Sequence, residues 1–475
     1  MTLRWGAPSP RVVVIAGIAA LVVLALIVAP RSTAFIAFGV ALVVAAGYLF
    51  WYVHPAWTLS GAVVASVMAG NWVHLGLPSN VSPDRILLLS AVASVVLRAP
   101  PVRDRPPLTF RAVHWAMVLT LLWFIGSAWA AGTLGDNGAT FELAERVGLM
   151  PFLVFLVAPV VYATEAHRRI LLGALVGLGA YLGFTALMET LHFNQLVFPS
   201  YINDHGIGTH TDRARGPFLE ANTNGSGLFV GVVGSAIALA LWRVHRWRVF
   251  AGGVLLLCFA GLLFTETRAV WLGGAVATVV ALLATRDLRR YSVPAIAAGV
   301  GVVAVSVALV PGLAGAIQER RDDDRTVWDR KNLATAAVNM IAAYPLVGVG
   351  WNQFTEKNAD YFRVSRDFPL TAAEDTVIHN VFLTYAAEEG LVGLALWLTA
   401  LGLGMLAALW PPARGEPHLW QIGFGATLVF YLAISNFVFP QVFPNLSLWL
   451  LAGVAVGAAR GPDFGDRRPQ IGIRG

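Results

Sequence analysis

Arg213, Arg215, Arg268, Arg325 and His379 stand in a chain that otherwise spares its charges. Of its 475 residues, 57% are hydrophobic and 13% are charged, so a guanidinium beside an apolar run is a costly placement. On insertion scales an Arg inside a membrane helix costs roughly 2.5–3.5 kcal/mol, so its retention asks for a partner. Guanidinium forks suit bidentate contact with phosphate oxygens. A neutral imidazole can take a proton near neutral pH. Cations and a titratable base at one mouth of a helical bundle therefore suit an anionic leaving group and an attacking hydroxyl.

Four segments carry these residues. Arg213-Ala-Arg-Gly-Pro-Phe-Leu-Glu-Ala-Asn222-Thr-Asn-Gly225 leads into an apolar run. Its Asn222, Thr223 and Asn224 predict helix-cap chemistry, which sets both arginines above a helix N-terminus, where an anion is favoured. The plain alternative is an interfacial loop with snorkelling arginines. Thr265-Glu-Thr-Arg268 is the turn of a hairpin, and pairing with Glu266 is its bland explanation. Arg325 enters a stretch, 328–343, with apolar residues at helical spacing, read as an amphipathic helix on the membrane surface that Pro345 ends. A local salt bridge with Asp322–Asp324 is the alternative there. His379-Asn380 opens a short helix that meets the next span at Gly390, with Glu374 and Asp375 placed to orient the imidazole.

The elements that must position these segments are membrane helices. A mean hydropathy of +0.68 and repeated apolar runs near 20 residues exclude a soluble globular protein. The runs are continuous, not alternating, so they are helices and not barrel strands. About fourteen candidate spans cover residues 12–30, 33–52, 56–74, 84–98, 112–131, 147–164, 169–188, 223–242, 248–265, 269–285, 292–311, 391–410, 419–438 and 445–459. The net charge of +6 sits in short loops and orients the chain, so it does not point to nucleic acid. Arginines at 98–111, 168–169, 243–248 and 286–290 fall in alternate loops, which places those loops and both termini in the cytoplasm. The loops at 132–146, 189–222 and 265–268 and the long segment 312–390 then face outward, with every candidate residue on that face.

The chain divides into N-terminal spans at 1–168, spans with external Arg loops at 169–311, a large external loop at 312–390, and C-terminal spans with a cytoplasmic tail at 391–475. No cleavable signal peptide is evident. The single Cys258 excludes an internal disulfide framework. No metal-ligand motif appears, and no metal or other cofactor is expected.

The order of the four segments resembles the O-antigen ligase and polymerase superfamily of bacterial envelope glycosyltransferases. Arg213-Ala-Arg-Gly-Pro-Phe218 and Asn222 match its Arg-x-x-Gly-x-Phe loop, with Ala221 where the family has proline. Thr267-Arg268 matches its Ser/Thr-Arg span opening. Arg325, Trp328 and Pro345–Gly350 match its Arg, Trp and Pro-Leu-x-Gly-x-Gly. His379-Asn380 and Glu388-Glu-Gly-Leu-Val-Gly393 match its His-Asn and Glu-x-Gly-Leu-x-Gly. The resemblance covers roughly residues 170–410. It implies an all-α, GT-C-like bundle of about 12–14 spans whose long external loop carries short amphipathic helices. It also implies a metal-free inverting transferase of the cytoplasmic (inner) membrane, with its active site on the external, periplasmic face.

The expected partners are a polyprenyl-diphosphate-linked glycan donor, a glycan, lipid or protein hydroxyl as acceptor, and membrane lipids. Catalytic roles fall to His379, Arg213, Arg268 and Arg325. Substrate contacts fall to Arg215, Asn222, Trp328 and Asn380. Arg213 and Arg215 both remain candidates for the diphosphate. A transporter or flippase of anionic lipids is the rival reading, but it should place polar residues through the bundle, where few charges are found. A scaffold protein would explain the long loops but not the His-Asn match.

Overall fold

The computed structural model describes residues 44–77, 82–103, 105, 108–285, 289, 293, 297, 325–361, 378–410, 418–437 and 440–459, and for residues 137, 325–329 and 359 the backbone only. The span expected at 12–30, nearly all of 292–311, most of 33–52, the Asp322–Asp324 run and Glu374–Asp375 lie outside the described residues. The described chain is an all-α membrane bundle. Its helices are α1 (Pro55–Ala65), α2 (Pro83–Val96), α3 (Ala112–Ala131), α4 (Asn137–Glu142), α5 (Leu149–Val161), α6 (Glu165–Thr190), α7 (Ala221–Leu241), α8 (His245–Phe264), α9 (Arg268–Ala284), α10 (Arg325–Ala343), α11 (Phe354–Tyr361), α12 (Val381–Leu409), α13 (Leu419–Ile434) and α14 (Val442–Ala459). Seven of the described helices are long and apolar enough to cross a membrane, and α1, α9 and α13 are shorter apolar helices.

Local chemistry sets the ends. Pro55 and Pro83 begin α1 and α2, where a missing N–H costs nothing. Thr164 caps α6 by accepting from His167 N at 3.3 Å. His418 and Gln421 form a reciprocal capping box on α13. Two expected boundaries move. The span read as 147–164 begins earlier, because α4 runs through a π-turn at Leu143–Val147 into α5. The span read as 56–74 breaks after Ala65 into two short 3-10 turns, with Gly70 and Gly76 in the left-handed region.

Consecutive helices α6, α7, α8 and α9 run antiparallel and pack against one another. Their approach depends on Gly179 and Gly231. A Cβ at Gly179 would lie 2.9 Å from the Gly231 Cα and 3.0 Å from the Cys258 Sγ, so three helices touch at backbone distance. Cys258 is fully buried there and donates to the Gly179 carbonyl at 3.3 Å, as a small core residue. Phe229 of α7 stacks on Phe430 of α13 at 4.4 Å. The alternation gives the bundle two ends. One carries Arg98, Arg103, Arg105, Arg111, Arg168–Arg169 and Arg243–Arg248, and is called the basic end. The other carries 132–148, 191–220, 265–267, 435–437 and 440–441, and is called the site end.

Helix α12 is one rod with a break. Gly390 has φ 69° and ψ 179°, so the short helix opened by His379 and the following span meet at a kink at the residue the sequence pointed to. Residues 345–350 lie against that kink. Val349 N donates to Ala387 O and Gly350 N to Glu388 O, both at 2.9 Å, and Leu391 N donates to Pro345 O at 2.8 Å. Gly348, with φ 69°, faces the Glu388 carbonyl so closely that any side chain would collide with it. A small second core of Leu333, Ala336, Ala337, Met340, Phe354 and Ile378 seals α10 and α11 onto the first half of α12.

Candidate active site

The Arg213 loop is held by Asn224 of its own motif and by groups outside every sequence motif, namely Glu189, Tyr201 and Asn71. The Glu189 carboxylate at the end of α6 accepts from Gly216 N at 3.1 Å and from Arg215 N at 3.3 Å. Tyr201 Oη and Asn71 Nδ2 both donate to Pro217 O at 2.9 Å. Asn224 Nδ2 donates to Ala214 O at 2.9 Å. This corrects the expected cap. Helix α7 begins at Ala221 with Glu220 at the cap position, so Asn222, Thr223 and Asn224 lie inside its first turn, and Asn224 reaches back to the loop instead.

The two arginines of the loop have opposite fates. Arg215 is 2% exposed. Its guanidinium donates to the carbonyls of Ile207, Ile202 and Asp204. Burial holds that guanidinium below its ordinary value, and the Glu189 and Asp204 carboxylates oppose the shift. These three bonds tie residues 202–207 together, so Arg215 holds the fold of its own loop. Arg213 is half-buried, and its Nε is buried with no hydrogen-bond partner among the described residues.

The chain then brings the Arg213 loop to the turn that precedes Arg268. Ala214 N donates to Phe264 O at 3.1 Å, which lays the loop on the last turn of α8. Ala214 and Phe264 share a small buried cluster with Ala186. Thr265–Thr267 follow, with Glu266 at φ 47°, and Arg268 is the first residue of α9. Trp271 fixes the turn by donating from Nε1 to Leu262 O at 2.9 Å. Arg268 is exposed and makes no ion pair with Glu266 or with any other described carboxylate. The corner therefore brings together two arginine-bearing segments in which neither guanidinium forms an ion pair with a described carboxylate, and Arg268 stands at a helix N-terminus, where partial positive charge adds to its own.

His379 reaches the same end through α13. A Cβ at Gly273 of α9 would sit 3.2 Å from Ile434 and 3.3 Å from Phe430, so the first turns of α9 pack on the last turns of α13. Val381 N donates to Ser435 O at 2.8 Å, just past the end of α13. His379 is half-buried, two residues before that bond. Asn380 caps α12, its Oδ1 accepting from Leu383 N at 3.0 Å. Its Nδ2 lies 3.5 Å from Asn436 O. Asn222 is half-buried, and its Oδ1 has no partner among the described residues. Arg325 opens α10, whose other end is pinned to α12 at Gly390. The helix therefore runs back along α12 toward its His379 end. The side chains of Arg325 and Trp328 lie outside the described residues.

The motifs around Gly348 and Gly390 prove to be two halves of one joint. Besides the three backbone bonds, Glu388 accepts from Phe354 N at 3.1 Å, and Trp123 Nε1 donates to Glu389 O at 3.1 Å. Trp351 N donates to Ser127 Oγ at 3.1 Å. The joint fixes α10 and the start of α12 as one unit on α3. Nothing in linear spacing pairs residues 345–350 with 387–391, since the pairing is made only in three dimensions.

Fold and site together define a polytopic helical membrane protein with a cationic corner and a histidine at one end of its bundle. Residues 253–398 match the family model described as O-antigen ligase, a segment that includes Arg268, Arg325 and His379 and ends after the Gly390 joint. The match bears out the resemblance to the O-antigen ligase and polymerase superfamily, and it indicates a glycosyltransferase of the ligase or polymerase type. It covers under a third of the chain and leaves the Arg213 loop upstream. A comparison with curated proteins finds no match.

Proposed function

We propose that the chain transfers a glycan from a polyprenyl-diphosphate carrier to an acceptor hydroxyl, on the outer face of the cytoplasmic membrane. The observation that supports this reading is the corner itself, where the Arg213 loop is laid on the end of α8 just before Arg268 and neither arginine forms an ion pair with a described carboxylate. A diphosphate supplies the missing charge. Arg325, at the start of α10, is the third proposed ligand. Arg213 is preferred over Arg215, whose guanidinium is occupied by backbone carbonyls.

In this reading the acceptor oxygen attacks the anomeric carbon from the face opposite the diphosphate. The glycosidic C–O bond breaks, and its electron pair leaves on the phosphate oxygen. The growing charge falls on the guanidinium groups, which stabilise it more in the transition state than in the bound donor. His379 takes the hydroxyl proton, and the carrier diphosphate stays in the membrane. Asn380 supports the imidazole by fixing the first turn of α12.

The test is His379→Gln in the purified full chain, supplied with polyprenyl-diphosphate-linked sugar. A positioned acid–base group contributes roughly 10²–10⁴-fold, so transfer should fall by that much while donor binding persists. Transfer at the wild-type rate would remove the general base from the reading.

A further inference from the structure

A second site-end feature lies on the other side of the Arg213 loop. A cavity of about 310 Å³ opens between the α1–α2 connection, α4, the start of α7 and the start of α14. That volume is at the small end of the range for small-molecule sites, roughly 300–1,000 Å³. Phe218 and Thr223 on its wall belong to the Arg213 loop and the first turn of α7. Gln441 and Phe443, which also line it, follow closely in sequence on Ser435 and Asn436, from which the His379 segment hangs. The cavity is thus adjacent to the proposed reaction centre and shares its structural supports.

Its chemistry differs from the cationic corner. Two arginines line it, and each already faces a carboxylate that also lines it: Arg85 with Glu145, and Arg146 with Glu142 at 2.9 Å. The lining charge is therefore balanced, which disfavours an anion and a cation alike. The groups that remain are suited to hydroxyls. Gln441 donates from Nε2 to Glu220 at 2.7 Å, which leaves its Oε1 to accept. The Glu142 and Glu145 carboxylates, each an acceptor with two oxygens, can take hydroxyl protons beside their ion pairs. The Phe141 face is covered by Arg85, 4.4 Å from its centroid, and Phe218 meets Phe443 edge-on at 5.2 Å. Trp72 is half-buried on the wall, and unlike Phe141 and Phe218 it has no ring or cation contact among the described residues, so it offers a flat apolar surface for the C–H face of a pyranose.

We propose that this cavity binds one neutral glycosyl residue, stacked on Trp72 and held by Gln441 and the Glu142 and Glu145 carboxylates. The proposal rests on the glycosyltransferase reading and adds a sugar subsite to it. The sugar belongs either to the carrier-linked donor or to the acceptor, since both offer the same hydroxyl-bearing ring.

The experiment is saturation-transfer NMR on the detergent-solubilised full chain with methyl glycosides of glucose, galactose, mannose, rhamnose and N-acetylglucosamine. At least one should show saturation transfer that falls several-fold in Trp72→Ala and in Ala69→Leu, which fills the cavity from its wall without removing a polar contact. Size-exclusion profiles check that both variants remain folded. Pyrophosphate is titrated separately by calorimetry against the wild type and Arg213→Ala. A glycoside signal that resists both cavity variants, or no signal from any glycoside, overturns the sugar subsite, even where pyrophosphate binding depends on Arg213. Glycoside binding without any Arg213-dependent pyrophosphate binding supports the subsite and sinks the diphosphate reading instead. Displacement of the glycoside by a polyprenyl-diphosphate-linked sugar assigns the subsite to the donor, and simultaneous binding assigns it to the acceptor.

Discussion

Two pairs of arginines share the site end of the bundle, and they are wired in opposite ways. Arg85 and Arg146 each face a glutamate from the α4–α5 region. Arg213 and Arg268 face none, although Glu189 and Glu266 are close in the chain fold or the sequence. Glu189 is turned instead to the backbone N–H groups of the loop that carries Arg213. The arrangement keeps a carboxylate near enough to build the loop while leaving the cation unneutralised. An arginine that retains unmatched charge at a membrane boundary is the kind that waits for a ligand. One that is already matched contributes to structure and to neutral recognition.

The largest effect should come from removing the unmatched cations. Arg213→Ala and Arg268→Ala should each lower transfer by roughly 10²–10³-fold, the loss seen when one preorganised donor is deleted. Neither should lower the melting temperature much, because neither guanidinium satisfies a described partner. Lys at either position should restore only part of the rate, since the planar fork is lost. A large fall in thermal stability with little change in the rate would reverse the comparison and make these arginines structural.

Next comes the buried pair. Arg85 and Glu145 have side chains only 14% and 9% exposed. Arg85→Met alone should destabilise by about 3–5 kcal/mol, because it strands a buried carboxylate. Adding Glu145→Leu should recover most of that loss, since apolar replacement of a whole buried pair is often neutral. Thermal or denaturant unfolding of the two variants decides this. Equal destabilisation by the single and the double variant would show that the pair itself, and not the stranded charge, carries the stability.

Much of this architecture is visible in the sequence, but its wiring is not. Apolar runs locate α3, α6, α7, α8 and α9 within a few residues, because a helix that crosses lipid must be continuously apolar. Glycine and proline mark the Gly390 kink and the end of α10. The difference between Arg213 and Arg215 is illegible, since both are arginines of one loop. It is decided by carbonyls at Ile202, Asp204 and Ile207, which only folding brings near. The polar run Asn222–Asn224 reads as a cap but serves as a tether, because the side chain of Asn224 finds Ala214 O before its own helix end. Arg85 and Arg146 drew no notice in the sequence. Their partners lie at Glu145, a distant position, and at Glu142, in a connection read as loop, and the π-turn at Leu143–Val147 was not foreseen.

The smallest effect is expected from the more exposed pair, and it tests whether burial grades these contacts. Arg146 and Glu142 are four residues apart at 2.9 Å, with side chains 24% and 31% exposed. Water and salt reach them more readily than they reach Arg85 and Glu145, so most of their attraction is screened. Arg146→Gln should therefore cost no more than about 1 kcal/mol, the upper end for accessible ion pairs. The cost should shrink further at high ionic strength, where the Debye length falls to about 3 Å in 1 M salt. The Arg85→Met cost should hardly move, because a buried pair is screened much less. Unfolding both variants at low and high salt makes the comparison directly. If Arg146→Gln costs as much as Arg85→Met, and salt leaves both unchanged, then exposure does not set the strength of these pairs. The balanced cavity would then be held by two equally structural bridges, with no softer side on which a sugar hydroxyl could compete.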